Sequence, residues 1–265
     1  MLALNTDKML AEKDNGIGWI TFNNPARRNA MSMEMWEALS QIVDDFSADD
    51  SVRVVVMKGA GDKAFVSGAD ISQFEKVRAN ADAAEEYARI SDASREKLAS
   101  IEKPLIAMVR GYCLGGGLAL AMVADMRFVS DDSQLGIPAA RLSIAYSPLH
   151  IRRLISLVGP AYARDILFSA RRVPAEEALR IGLVNRVVPA AELEAMTRDY
   201  AATIVDNAPL SILASKLTIA DLLKDPADRD PALVAELGRR CFDSQDYKEG
   251  RTAFMEKRSP VFTGR

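Results

Sequence analysis

Short apolar runs alternate with stretches of helical periodicity along the first half of this chain. Gly16 to Phe22 reads as a strand, closed by the turn Asn23-Asn24-Pro25. Ser32 is placed to cap a helix running to Phe46, with Met35, Leu39, Ile42, Val43 and Phe46 on one face. Val52 to Met57 is apolar apart from Arg53, and Leu105 to Val109 is apolar throughout, as expected of strands covered on both faces. Met126 to Val129 continues the series. Together these segments predict a parallel or mixed sheet with crossover helices. After residue 145 the strand signals nearly vanish, Val184 to Val188 being the exception. His150 to Val158, Ala190 to Asp206, Pro209 to Lys224, Pro231 to Gln245 and Glu249 to Lys257 are predicted helices, several of them opening near a proline or a polar break. The expected architecture is an α/β core followed by a helical C-terminal lobe. Gln73 to Lys97, rich in Ala, Glu and Arg, reads either as a solvated helix or as a lid over a pocket.

Two turns in this pattern carry chemistry. The strand Leu105 to Val109 runs into Arg110-Gly111-Tyr112-Cys113-Leu114-Gly115-Gly116-Gly117, which opens directly into the Ala/Leu-rich segment beginning at Leu118. Backbone N–H groups at such a turn are unpaired, and the following helix adds to their positive potential, so the turn favours negative charge. That charge could be a phosphate, or the oxyanion formed when a thioester carbonyl becomes an enolate. Phe65-Val66-Ser67-Gly68-Ala69-Asp70-Ile71 is a second turn of the same kind, with Asp70 near the start of the segment that follows. Alone it reads as an ordinary strand end. Beside the triple glycine, it offers the second donor of a two-donor oxyanion hole.

Composition narrows the choice. The chain has 265 residues, 49% of them apolar and 27% charged, with a formal net charge of −3. That length supports one large core, with or without a small extra lobe, and the charge argues against a nucleic-acid partner. Cys113 and Cys241 have no spaced partners and His150 is the only histidine, so neither a disulfide framework nor a zinc site is expected. Met1 to Lys13 is mixed polar and apolar, and no run approaches membrane-spanning length, so a cytoplasmic protein without a membrane partner is expected. A nucleotide-binding loop fits poorly, because the glycine run lacks the Lys-Ser/Thr ending and no dinucleotide fingerprint is present.

In their order and spacing, Phe65–Ile71 and Arg110–Ala121 resemble the crotonase (enoyl-CoA hydratase/isomerase) superfamily. Asn24-Pro25-Ala26-Arg27-Arg28-Asn29-Ala30-Met31 is similar to that family's first CoA-contacting loop. Phe168 to Ala178 followed by Gly182-Leu183-Val184-Asn185, and the terminal segment Glu249 to Arg258, are similar to further family segments. The resemblance implies a spiral core of β-β-α units over residues 1–200, and a helical region over 201–265 that covers CoA and builds trimers, often paired into hexamers. It implies that the N–H groups of Ala69 and Gly116 hold a thioester oxygen. It places Ala26, Arg27, Arg28, Ala30, Ser67, Gly68, Asp70, Ile71, Phe254 and Lys257 along the CoA moiety, with coenzyme A entering only as part of the substrate.

The resemblance also exposes a departure. Hydratases of the superfamily carry one glutamate two residues after the triple glycine and another directly after the proline of the next loop; here these positions are Ala119 and Ala139. Water addition needs a base and an acid, each contributing roughly 10²–10⁴-fold, and alanine supplies neither. Tyr146 lies near positions where other members place a catalytic aspartate or tyrosine, and is a candidate to orient a carboxylate or relay a proton. Arg141 is a candidate for an acidic acyl group, His150 for a base, and Glu75, Glu85, Glu86 and Tyr87 lie in the possible lid. Three functions remain open: hydration or isomerisation by another acid, decarboxylation of a malonyl-type thioester, and acyl-CoA binding without turnover.

Overall fold

The computed structural model describes residues 2–70 and 81–265; Ile71, Glu75 and the rest of 71–80 lie outside the described residues. The strands are β1 (Met9–Asp14), β2 (Ile17–Phe22), β3 (Val54–Gly59), β4 (Ala64–Val66), β5 (Leu105–Val109), β6 (Tyr112–Leu114), β7 (Met126–Ser130), β8 (Gln134–Gly136), β9 (Arg172–Pro174) and β10 (Arg186–Val188). Among the described residues they form two sheets, ordered β1-β2-β3-β5-β7-β10 and β4-β6-β8-β9. The first sheet is parallel except for the β1–β2 pair, and the second is parallel except for β8–β9.

The spiral follows from this order. Each of β3, β5 and β7 lies in the large sheet, and the next strand along the chain, β4, β6 or β8, lies in the small one. Helices α2 (Ala81–Ala99) before β5 and α3 (Gly116–Ala121) before β7 return the chain to the large sheet, whereas α4 (Pro148–Ser169) leads to β9 in the small one. Repetition of this β-β-α turn stacks successive strand ends above one another. Both faces of the large sheet are covered, which explains its unbroken apolar runs. On one side α1 (Met33–Ala48) contributes Met35, Leu39, Ile42 and Phe46 to the main core. On the other, α6 (Leu193–Val205) lays Leu193 and Ala201 over Trp19, Val54, Ile106 and Phe128. Short α5 (Ala175–Arg180) precedes β10.

The structure corrects several sequence expectations. The N-terminal segment is strand β1, whose alternating burial puts Met9 and Ala11 inside; its polar outer face masked the signal. A strand at Arg172–Pro174 also appears beyond residue 145, three residues long and therefore without readable periodicity. Leu183 and Val184 are buried but precede the last strand, held where the buried Arg127 Nε donates to the Leu183 carbonyl at 2.9 Å. The predicted helix from His150 is longer, breaking at Gly159-Pro160, where Gly159 takes φ 71°.

The helical C-terminal lobe consists of α7 (Pro209–Leu222), α8 (Pro231–Phe242) and α9 (Gln245–Glu256). Lys216 on α7 ties it to the core, donating to the Lys103 carbonyl at 2.8 Å and pairing with Asp125 at 2.9 Å. No described helix is long and apolar enough to cross a membrane.

The loop between β2 and α1 is pinned by one side chain. Asn29, fully buried and at φ 57°, accepts from Asn24 N at 2.9 Å and donates to the carbonyls of Ala60 (3.0 Å) and Ala64 (2.7 Å). Removing it strands buried partners, each at a cost of about 1–3 kcal/mol. Asn29→Ala should therefore lower stability by roughly 3 kcal/mol, read as a fall in urea midpoint at unchanged slope; an unchanged midpoint would refute this role.

Candidate active site

The first and second turns meet through the backbone. Ser67 N donates to Arg28 O at 3.1 Å, Met31 N to Gly68 O at 2.9 Å, and Asp70 N to Met31 O at 3.0 Å. This stitching brings Ala26 to Ala30 alongside Ser67 to Asp70, the grouping that the sequence suggested. Gly68 takes φ 121°, a conformation that side chains rarely adopt, and it turns the chain so that the following Ala69 N–H donates to no described group.

The triple glycine packs against the same strand end. A Cβ on Gly117 would lie 1.9 Å from the Val66 carbonyl oxygen, so only glycine permits this contact between α3 and β4. Gly116, one residue earlier, opens α3, and its N–H has no partner a turn back. A Cβ there would sit 3.9 Å from Ala69 N, in the space between the two donors. Helix α3 spans only six residues, so its dipole is short and the N–H groups themselves dominate the local potential.

Tyr146 helps to set the aim of one donor, sharing the Gly115 carbonyl with Ala119 N at 3.0 Å. Its hydroxyl donates to the Gly115 carbonyl at 3.1 Å. That carbonyl and the Gly116 N–H belong to one planar trans peptide, so holding the oxygen fixes the N–H in the opposite direction. Gly115 reaches this peptide orientation through φ 53° and ψ −114°, and its own N–H is anchored to Gly136 O at 2.8 Å. Tyr146 thus acts on the turn; its proton is committed there and does not face a substrate carboxylate. Burial raises the phenol's pKa, so it stays protonated and donating at neutral pH.

The two turns open into a cavity of about 240 Å³. Ala119 and Ala139 line it, as do Trp36, Tyr87, Asp92 and Arg95 from α1 and α2. The described part of the suspected lid is therefore a cavity wall packed on α1: Ser94 Oγ donates to Trp36 O at 3.0 Å, and Trp36 Nε1 to Tyr87 Oη at 3.1 Å. Asp92 is the only carboxylate among the described lining residues. Its Oδ1 receives Arg95 Nη1 at 2.8 Å and faces His150 Nε2 at 3.3 Å. Arg95 and Asp92 carried no motif and were missed in the sequence; the i, i+8 spacing of Arg95 from Tyr87 was the available signal.

Other expected residues lie elsewhere. Arg141 is exposed and does not line the cavity. Arg27 and Arg28 are exposed beside the turns, Arg28 over the Tyr112 ring at 5.4 Å. Phe254 and Lys257 do not cover the site in this chain. Phe254 lines a separate apolar groove of about 780 Å³ with Phe242, Tyr247 and Phe262 on the C-terminal lobe, and Lys257 follows at the end of α9. Another groove of about 390 Å³, between the core and α7, contains neither glycine turn.

Two backbone N–H groups without a described acceptor border one small cavity, a setting that suits an oxygen gaining negative charge. Residues 12–265 match the sequence profile of the enoyl-CoA hydratase/isomerase family. The chain belongs to this family. A short-chain-enoyl-CoA hydratase of Clostridium acetobutylicum is 34% identical over 96% of this chain and 97% of that protein. A carnitinyl-CoA dehydratase of Escherichia coli is 33% identical, covering 93% and 94% of the two chains. The crystal structure of an enoyl-CoA hydratase/carnithine racemase from Magnetospirillum magneticum superposes with TM-score 0.94 at 36% identity, covering 98% of this chain and 97% of that one. The crotonase fold and acyl-CoA processing follow at the family level, and relatives named hydratase and dehydratase belong to the lyase class.

His150 provides a pH probe of this enoyl-CoA hydratase/isomerase family site. Burial, helped by the Arg95 charge, lowers its pKa from 6.5 to about 4. In the unfolded chain it protonates near 6.5, while the folded chain resists until about 4. Its contribution to stability should fall as pH drops through this window and level off below it. His150→Gln should flatten that part of the stability–pH curve, measured by urea unfolding; an unchanged slope would show that His150 titrates alike in both states.

Proposed function

We propose that this family member forms a CoA-thioester enolate between the Ala69 and Gly116 N–H groups by releasing carbon dioxide from a malonyl-type acyl group. One observation carries the proposal: the two unpaired donors share a cavity whose positions 119 and 139 are alanine and whose one described carboxylate, Asp92, is engaged by Arg95. Hydration needs a carboxylate to deprotonate water and an acid to protonate the α-carbon. Decarboxylation needs neither to form the enolate. The bond between the carboxylate carbon and the α-carbon breaks, its electron pair becomes the new carbon–carbon double bond, and the carbonyl π pair moves to the oxygen held by the two N–H groups. A proton from water then reaches the α-carbon. A backbone donor aimed at the oxyanion is worth roughly 3 kcal/mol of barrier.

The small cavity suits a short acyl group, with the rest of CoA lying outside along Ala26, Arg27, Arg28, Ala30, Ser67, Gly68 and Asp70. Exposed Leu223, Phe242, Phe254 and Met255 support a homotrimer or a pair of trimers, in which this apolar surface is covered.

The decisive assay offers crotonyl-CoA, a 3-enoyl-CoA and methylmalonyl-CoA and reads products by mass spectrometry. Carbon dioxide loss from methylmalonyl-CoA is expected, and Gly116→Ala should abolish it without loss of fold, because its Cβ meets no protein atom closer than 3.4 Å. Gain of water on crotonyl-CoA instead would overturn the proposal and direct attention to a carboxylate in 71–84. Tyr146→Phe removes one of the two donors on the Gly115 carbonyl, leaving Ala119 N at 3.0 Å, and should lower kcat by about tenfold with KM nearly unchanged. An unaltered kcat would remove Tyr146 from the mechanism.

A further inference from the structure

Arg95 is an unusual group to find in the wall of an acyl cavity. Its side chain is 7% exposed, and only Nη1 has a partner among the described residues, Asp92 at 2.8 Å. Nε is buried without a partner. Nη2 points into the cavity, 3.4 Å from where a Gly116 Cβ would stand, which is the same space that Ala69 N approaches to 3.9 Å. The Trp36 ring, with its centroid 4.3 Å from the guanidinium carbon, supports the cation from the side. Asp92 engages only Nη1, so Nε and Nη2 keep unused donor capacity. His150, with its pKa near 4, is neutral at pH 7 and adds nothing.

Guanidinium keeps its charge when buried and presents a planar fork that matches a carboxylate. A buried cation with unused donors is costly unless a ligand completes it. An aliphatic acyl group would leave Nε and Nη2 unpaired, and a cationic one would meet like charge. A carboxylate one or two carbons beyond the thioester carbonyl would reach this edge while the carbonyl oxygen sits between Ala69 and Gly116.

We infer that Arg95 is the specificity-determining residue of this site, selecting CoA thioesters whose short acyl group ends in a carboxylate. The inference rests on the CoA-thioester reading of the cavity but not on the reaction proposed for it. When carbon dioxide does leave, the negative charge moves from the carboxylate to the enolate oxygen, and Arg95 borders both positions.

The test compares matched acid and neutral ligands of the full-length protein: malonyl-CoA with propionyl-CoA, and succinyl-CoA with butyryl-CoA. Binding is read from the fast phase of tryptophan quenching in stopped flow, before turnover, since Trp36 underlies the guanidinium. At least one acid should bind roughly 10- to 100-fold more tightly than its neutral partner. Arg95→Met should erase that preference while leaving the neutral ligands within about threefold, and Arg95→Lys should restore part of it. Circular dichroism checks that both variants fold, and the lysine variant serves if the methionine one does not. Equal affinities within both pairs, or a preference that survives Arg95→Met, would overturn the inference. If no thioester quenches fluorescence or competes for the protein, the CoA reading itself fails and the inference falls with it. Acid preference without carbon dioxide release would refute the proposed reaction and leave the Arg95 assignment standing.

Discussion

The contact between Gly117 and the Val66 carbonyl sets the distance on which the site depends. Helix α3 can approach the end of β4 this closely only because position 117 has no Cβ, which would otherwise overlap the carbonyl oxygen at 1.9 Å. With that approach, Gly116 and Ala69 border the same cavity. Without it, the two turns would be ordinary strand ends, each with its donors in solvent. The rest of the frame preserves the approach. Asn29 anchors the loop that stitches to Ser67 and Gly68, and Gly136 holds the Gly115 N–H from the neighbouring strand. Backbone donors held in this way need little reorganisation when charge develops in front of them.

Two N–H groups and a guanidinium border the cavity, and its single described carboxylate, Asp92, is paired with that guanidinium. Tyr146 polarises the Gly115–Gly116 peptide through its carbonyl. Ala119 and Ala139 contribute neither acid nor base to the lining. The enolate proposed for this site would meet donors here and few groups able to move protons.

The large sheet and the long helices were legible because their apolar positions repeat over enough residues to specify a period. Leu105–Val109 was read at its observed bounds, and Met33–Ala48 within two residues of them. The small sheet was largely hidden: β6, β8 and β9 have three residues each, and β1 shows one face to solvent. At the site, both glycine turns were visible because glycine at a strand end has a steric reason that can be read locally. Arg95 was not visible. An arginine in a charged helix reads as solvated until its neighbours Trp36 and Asp92 are known. Tyr146 was noticed, but which atom its hydroxyl meets was beyond any spacing argument.

By itself, the amino-acid sequence determined the alternation of buried strands and amphipathic helices, the two turns able to expose N–H groups, and the absence of glutamate at positions 119 and 139. These are local properties, set by backbone sterics and by the side chain present at each position. Tertiary structure alone decided that Ala69 and Gly116 share one cavity, that Tyr146 serves the peptide between Gly115 and Gly116, and that Arg95 points inward while Arg141 points out. It also placed Phe254 on the far lobe rather than over the turns. The physical reason is that orientation and charge burial depend on what is packed against a residue. Those partners come from segments tens of residues away, whose meeting is set by the stacking of the β-β-α spiral.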